Sequence, residues 1–419
     1  MGRSGVAHIT DVILDDPVQD KQKNSRFNSG GCRSSDKHRE IRYSVKENRS
    51  SLGCLLQDTF KSRFLFHQQR NPGRQTGKKE SRMAEPSASE PLPVNQQENW
   101  VGVDLGGTKI LAAVFDDQFK LLGRERKKTK GFQGASQGME RLGDAVAKAM
   151  EEAEVDPNTI AGLGIGCPGP VDPDHGILID GPNLGWENVP VKKILEDRFE
   201  CPVYVTNDVD AGVYGEYRFG AAEQARCVLG VFPGTGVGGG CVYEGRIFRG
   251  HHVTAMEVGH MPMLAGGPLS SAGHSGSVEA MTSRLSIAAA CAQAAYRGDA
   301  PLLRDEAGTT LSDIRSGMIS ESVKQKDGTV EQIVRQAAFQ LGTVIAGLVH
   351  VLAPDKIVLG GGLVEALPKL YQEEVNDALK QWLMPAYAKV SEVVIAELGD
   401  DAAIMGAAAW AKHNVKTAN

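Results

Sequence analysis

Apolar and small residues begin to recur with a regular period at Trp100. Residues 100–104 read as a strand that ends on Asp104. Gly106-Gly107 turns the chain, and residues 109–115 return as a second strand. A third strand is expected over 121–127. Helical spacing follows over 138–153, then a short apolar run over 160–167 that enters Pro168-Gly169-Pro170, as a buried strand does. Residues 191–199 read as a helix, 203–206 as a strand and 211–219 as a helix.

The same parts then recur. Residues 227–232 form a strand pattern, 234–240 a glycine turn and 241–243 a returning strand. Helices are expected over 278–295 and 329–352, a strand over 356–359 that runs into Gly360-Gly361-Gly362, and a closing helix over 402–412. The strand–glycine turn–strand unit thus occurs twice, about 130 residues apart. Two similar α/β halves flanking a cleft follow from that repeat. The expected domains are 98–215, completed by the C-terminal helix 400–415, and 216–399.

Residues 1–97 differ from the rest. Up to Arg82 there are 17 Lys/Arg against 9 Asp/Glu, so this part carries about +8 and the remainder about −14 of a net −6. Rich in Ser, Asn, Gln and Arg and without sustained periodicity, the segment reads as a disordered extension. Its basic character raises the alternative of nucleic-acid contact. Met83 opens a tract that reads as an ordinary short leader, so residues 1–82 are a candidate extension before the native start. Asp11, Asp15 and Asp16 around the first apolar patch argue against a signal peptide. The most apolar stretch, 337–353, contains Gln340, Thr343 and His350, and reads as a buried helix, not a membrane span. Seven scattered cysteines without a CxxC pair fit reduced cytoplasmic thiols.

Chemistry concentrates at the glycine turns. In Asp104-Leu105-Gly106-Gly107-Thr108-Lys109, glycines let the backbone approach a ligand and successive N–H groups can form an anion nest. Thr108 adds a hydroxyl and Lys109 a charge; Asp104 suits a water-mediated contact with Mg²⁺. A plain β-hairpin with a Gly-Gly turn explains the run equally well. The second turn, residues 234–240, contains G-x-G-x-x-G, as do residues 164–169, but no helix is expected directly after either, which argues against dinucleotide binding. No G-x-x-x-x-G-K-[ST] occurs, which excludes a P-loop. At Asn207-Asp208 a strand-end carboxylate suits the base of a phosphoryl transfer. The competing reading is a helix cap, a role for which Asp210 is better placed. Glu257, His260, Glu279 and Asn183 are polar groups amid glycines, suited to sugar hydroxyls or, more plainly, to ordinary surface and turn positions.

In chain order these motifs resemble the family of repressors, open-reading-frame proteins and sugar kinases, and within it the bacterial glucokinases. The resemblance runs from about Trp100 to Lys412 and adds residues 164–172, Asn183-Leu-Gly-Trp, Glu257-Val-Gly-His260 and Leu398-Gly-Asp-Asp. It implies a duplicated actin-like ATPase (ribonuclease H-like) α/β fold and an ATP- and Mg²⁺-dependent sugar kinase. Asp208 would then be the catalytic base. Asn183, Asn207, Glu257, His260 and Glu279 would hold the sugar. Gly106, Gly107, Thr108, Lys109, Gly234, Thr235 and Gly236 would hold phosphates, with Gly361 and Gly362 beside the adenosine. Glucose is the expected sugar; fructose, mannose or an N-acetylhexosamine, polyphosphate as donor, and a sugar-sensing regulator are the alternatives. The family also implies a cytoplasmic homodimer or homotetramer. No helix-turn-helix pattern precedes residue 98, so nucleic acid is not an expected partner, and neither is a membrane. Family members carry a zinc site of one His and three Cys. Here His260 stays, but Ser270, Ala272 and Ser277 occupy the cysteine positions, so no structural zinc is expected.

Overall fold

The computed structural model describes residues 98–418; the expected N-terminal extension and the alternative start at Met83 lie outside them. Strands β1 (Asn99–Leu105) and β2 (Lys109–Phe115) pair antiparallel, with Leu105 opposite Ile110 across the glycine turn. β3 (Leu121–Lys128) adds to β2 as a charged edge, Arg124 to Lys128, which blunts further pairing. After α1 (Ala135–Glu152), β4 (Ile160–Cys167) lies parallel to β1. A small antiparallel sheet follows: β5 (Val171–Asp172), β6 (Ile177–Gly181) and β7 (Trp186–Val189). Its strands are too short to show a period. Then α2 (Val191–Phe199) leads to β8 (Val203–Asn207), parallel to β4, and α3 (Asp208–Phe219) follows directly.

The second half repeats the plan with β9 (Cys227–Pro233), β10 (Val237–Tyr243) and β11 (Arg246–Ile247). Five helices follow: α4 (Val278–Thr282), α5 (Arg284–Arg297), α6 (Pro301–Ala307), α7 (Ser316–Lys324) and α8 (Gly328–Leu352). β12 (Lys356–Leu359) pairs parallel with β9. After α9 (Gly362–Ala366) and α10 (Pro368–Trp382), β13 (Glu392–Ile395) pairs parallel with β12, and α11 (Ala402–Ala418) closes the chain. The two five-stranded sheets have the orders β3-β2-β1-β4-β8 and β11-β10-β9-β12-β13. Each is an antiparallel trio followed by two parallel strands. That is the duplicated actin-like arrangement the resemblance implies.

Two sequence expectations need correction. The helix expected over 278–295 is two helices. Ser283 between them is extended (φ −70°, ψ 158°), and its hydroxyl accepts from the Ser286 N–H of the next helix. A serine that caps a new start competes with helix continuation. The turn expected over 234–240 ends at Gly236, because Gly238, Gly239 and Gly240 belong to β10. There they serve packing: a Cβ on Gly239 would meet the Met256 carbonyl oxygen at 2.6 Å.

Three cores form. One lies under the first sheet with α1 and α2, and one joins the second sheet to α5–α10. In α8, Val330, Val334, Leu341, Ile345 and Val349 are buried at helical spacing. No helix among the described residues is long and apolar enough to cross a membrane. The third core packs α3 and α11 against the second sheet through Val213, Tyr214 and Trp410. α11 also lies on β1 and β4 at backbone contact: a Cβ on Gly164 would sit 1.8 Å from the Ala407 carbonyl oxygen. Buried Glu216 fixes the approach to α11 by accepting the Leu398 N–H at 2.8 Å. The five described cysteines are buried free thiols.

Candidate active site

The β8–α3 junction sets the centre. Asn207, not Asp210, caps α3: its Oδ1 accepts the Val209 N–H at 2.8 Å and the Asp210 N–H at 3.3 Å. The helix therefore starts three residues before the expected 211. Asn207 is extended at the strand end and reaches the first free N–H groups, whereas Asp210 already lies inside the first turn. The Asn207 Nδ2 donates to the Gly169 carbonyl at 3.2 Å. Its amide is thus committed to the scaffold at both ends. Asp208 is left half-buried at the helix start, its Oδ1 accepting the Val209 N–H at 2.9 Å.

Burial pushes the Asp208 carboxyl up to about 7, and the charge of Asp104 adds to the rise. Asp104, at the end of β1, is raised to about 6, chiefly by burial, with Lys109 opposing. A helix N-terminus favours the anion, so desolvation and the neighbouring carboxyl outweigh it here.

Asp210 is 1% exposed, and neither carboxyl oxygen has a hydrogen-bond partner. It faces Gly240 of β10, and burial, with Glu257 and Asp208, raises its pKa well above the ordinary value. The folded chain then keeps a proton that the unfolded chain releases. Stability falls as pH rises from about 4, by up to about 1.4 kcal/mol per unit until the raised value is reached. Asp210→Asn should remove this cost. We expect it to stabilise the fold by about 1–3 kcal/mol, more at pH 8 than at pH 5, in urea unfolding at the two pH values. An equal gain at both would contradict this account.

In the first turn, the Gly106 N–H donates to the Lys109 carbonyl at 2.9 Å. The Thr129 hydroxyl braces the turn through the Gly106 carbonyl at 2.7 Å. A Cβ on Gly107 would come within 3.1 Å of the Asn183 Cβ, tighter than ordinary contact, so the turn closes directly against Asn183. Asn183 is exposed at the β6–β7 turn, just before buried Leu184 and Trp186. The Trp186 Nε1–H anchors that turn on the Gly131 carbonyl at 3.1 Å. Lys109 pairs with Asp400 at 2.7 Å, which holds the Asp400 carboxyl below the usual range. Asp400 belongs to the Leu398-Gly-Asp-Asp motif, yet at a sequence separation of 291 nothing local predicts the pair.

In the second turn, the Gly234 N–H donates to the Gly236 carbonyl at 2.8 Å and Thr235 is exposed. Gly236 lies flush with Glu279: an added Cβ would sit 2.2 Å from Oε2. Glu279 is buried; its Oε1 accepts the Ser271 O–H at 2.5 Å and N–H at 3.2 Å, and its Oε2 the Val237 N–H at 3.3 Å. Arg284, at the start of α5, was not anticipated from sequence. Its N–H donates to the Gly234 carbonyl at 2.9 Å and its Nη2 to the Thr235 hydroxyl at 3.0 Å. The third glycine turn joins this one, since a Cβ on Gly361 (φ +94°) would meet the Pro233 carbonyl oxygen at 2.7 Å, and Gly362 opens α9.

Glu257 and His260 are 3.9 Å apart. Burial raises the Glu257 carboxyl, and His260 opposes the shift. Asp104, Asp208, Glu257 and Glu279 form a chain of carboxyls, each within electrostatic reach of the next. Of these, Asp104 lies at the end of β1 next to the first turn, as a water-mediated contact with a phosphate-bound divalent cation requires.

The loop between His260 and Glu279 does not fit zinc. Ser277 spends its hydroxyl capping α4, and Ser270 accepts the His274 N–H at 3.2 Å. His260 and His274 meet edge to face with 5.5 Å between ring centres. Among the described residues, no three His, Cys, Asp or Glu gather as a metal site. Backbone hydrogen bonds close the loop instead, including Ser270 N–H to His274 O at 2.9 Å and Gly276 N–H to Pro268 O at 2.7 Å.

The ROK family model matches residues 100–414. A glucokinase of Streptomyces coelicolor is 32% identical over 319 residues, which cover 75% of this chain and 97% of the relative. A solved ROK family glucokinase from Streptomyces griseus, in complex with glucose and AMPPNP, is 30% identical with a TM-score of 0.67, covering 75% of this chain and 99% of its own. The ROK hexokinase from Thermus thermophilus is 32% identical with a TM-score of 0.64, covering 76% and 99%.

Proposed function

We propose, from the premise that this chain belongs to the ROK family and is a sugar kinase, that it moves the γ-phosphoryl group of ATP to the 6-hydroxyl of glucose. The observation that carries this reading is Asp208. Its half-buried carboxyl, raised to about 7 with Asp104 in electrostatic reach, sits at the start of α3 beside the Asn207 cap.

Asp208 is the base. Its Oδ1 is occupied by the Val209 N–H, so Oδ2 accepts the proton of the attacking hydroxyl. Asn207 acts by fixing Asp208. Asn183, Glu257, His260 and Glu279 hold the sugar hydroxyls, and carboxylate acceptors suit vicinal pairs. Gly106, Gly107, Thr108 and Lys109 orient the phosphates from one side, and Gly234, Thr235 and Gly236 from the other. Gly361 and Gly362 leave room for the adenosine. Bound Mg²⁺ would neutralise phosphate charge, with Asp104 facing it through water. Positioning and charge neutralisation then supply most of the rate.

A coupled assay over glucose, fructose, mannose and N-acetylglucosamine, each with ATP and with polyphosphate, tests the reading. The highest kcat/KM is expected for glucose with ATP. A higher value for another hexose, or for polyphosphate, replaces that substrate in the proposal. Sugar binding without phosphorylation of any of them makes the protein a sensor.

A further inference from the structure

We propose that Arg284 is a phosphate-binding residue of the nucleotide site, contacting the polyphosphate chain of the donor at the second glycine turn. This rests on the kinase reading above and extends it to a side chain outside both glycine motifs.

Three observations meet at this residue. The first is attachment. The Arg284 backbone N–H holds the Gly234 carbonyl, and its Nη2 donates to the exposed Thr235 hydroxyl at 3.0 Å. One guanidinium N–H is thereby used to fix the group on the turn. The rest of the planar donor fork remains to meet phosphate oxygens.

The second is charge. Asp104, Asp208, Glu257 and Glu279 lie within electrostatic reach of one another at the site, and a nucleoside triphosphate brings further negative charge. At the first turn, Lys109 is already paired with Asp400. At the second, the cation bonded to the turn is Arg284.

The third is local cost. Arg284 is the first residue of the 14-residue helix α5, after the Ser283 cap. A cation there opposes the helix dipole. α5 carries no acidic residue in its first turn to offset it. An unfavourable local placement of this kind is what a bound anion would relieve.

Calorimetric titration with the non-hydrolysable analogue AMPPNP and Mg²⁺ tests this, on the full chain. Arg284→Met should weaken the analogue by about 10- to 100-fold, leave glucose affinity within about twofold, and raise the KM for ATP. Arg284→Lys should recover part of the loss, since it restores charge but not the fork. Thermal unfolding of both variants reports whether they fold; Arg284→Lys keeps the test open if the Met variant does not. Unchanged analogue affinity in folded Arg284→Met, with Gly236→Ala still weakening it, overturns this inference alone. Failure of the unaltered chain to bind AMPPNP overturns the kinase reading with it.

Discussion

Asp208→Asn is expected to lower turnover by about 10²- to 10⁴-fold while glucose still binds. The amide keeps the size of the side chain and an oxygen for the Val209 N–H, so α3 and the cap at Asn207 stay in place. What is lost is the atom that takes the proton. Steady-state kinetics give kcat, and calorimetry gives glucose affinity on the same sample. Near-normal turnover would remove Asp208 from the role of base. The unaltered enzyme should carry the signature of that base in its pH profile. A base must be ionised, so kcat/KM should fall about tenfold per unit below a limb near pH 7. Asp104, raised to about 6, interacts with Asp208, so the limb belongs to the pair. A flat profile from pH 5 to 8 would contradict this assignment.

Gly164→Ala is expected to cost about 3 kcal/mol of stability, at the upper end for overpacking. The new methyl would lie 1.8 Å from the Ala407 carbonyl oxygen and 2.4 Å from its carbon, both backbone atoms that cannot turn aside. α11 would have to lift from β4. The same helix meets Gly102, where a Cβ would lie 1.9 Å from the Ile404 carbonyl oxygen, so this is a seam and not one tight spot. Gly347 supplies the contrast. It is exposed in α8, and a Cβ there meets nothing within 4 Å. Gly347→Ala should therefore stabilise by about 0.4–1 kcal/mol through the unfolded chain. Urea unfolding of the two variants reads opposite signs, and a loss at Gly347 equal to that at Gly164 would refute the packing explanation.

These two glycines mark what periodicity reports. Residues 109–115, 160–167, 191–199 and 356–359 are elements with the bounds read from the chain, because an apolar period records which side of an element is buried. The three-stranded sheet β5-β6-β7 left no comparable trace: its strands have two to five residues. At 278–295 an apolar helical pattern concealed a break, since the competing Ser283 cap acts through one hydroxyl and leaves the period intact.

The site divides the same way. The chain by itself determined the repeated hairpin, the glycine turns and Asp208 at the strand-to-helix junction; that serines and an alanine stand where zinc ligands would came from the family resemblance. The first three are local: residue type, spacing and turn chemistry over a few positions. Only the tertiary structure decided that Asn207 spends its amide on the scaffold, that Asp210 is buried without a partner, and that Lys109 meets Asp400. It also set Arg284 on Thr235, 49 residues earlier in the chain. Such pairings depend on how the two sheets and α11 cross. A periodic pattern reports which face is buried but not what lies against it.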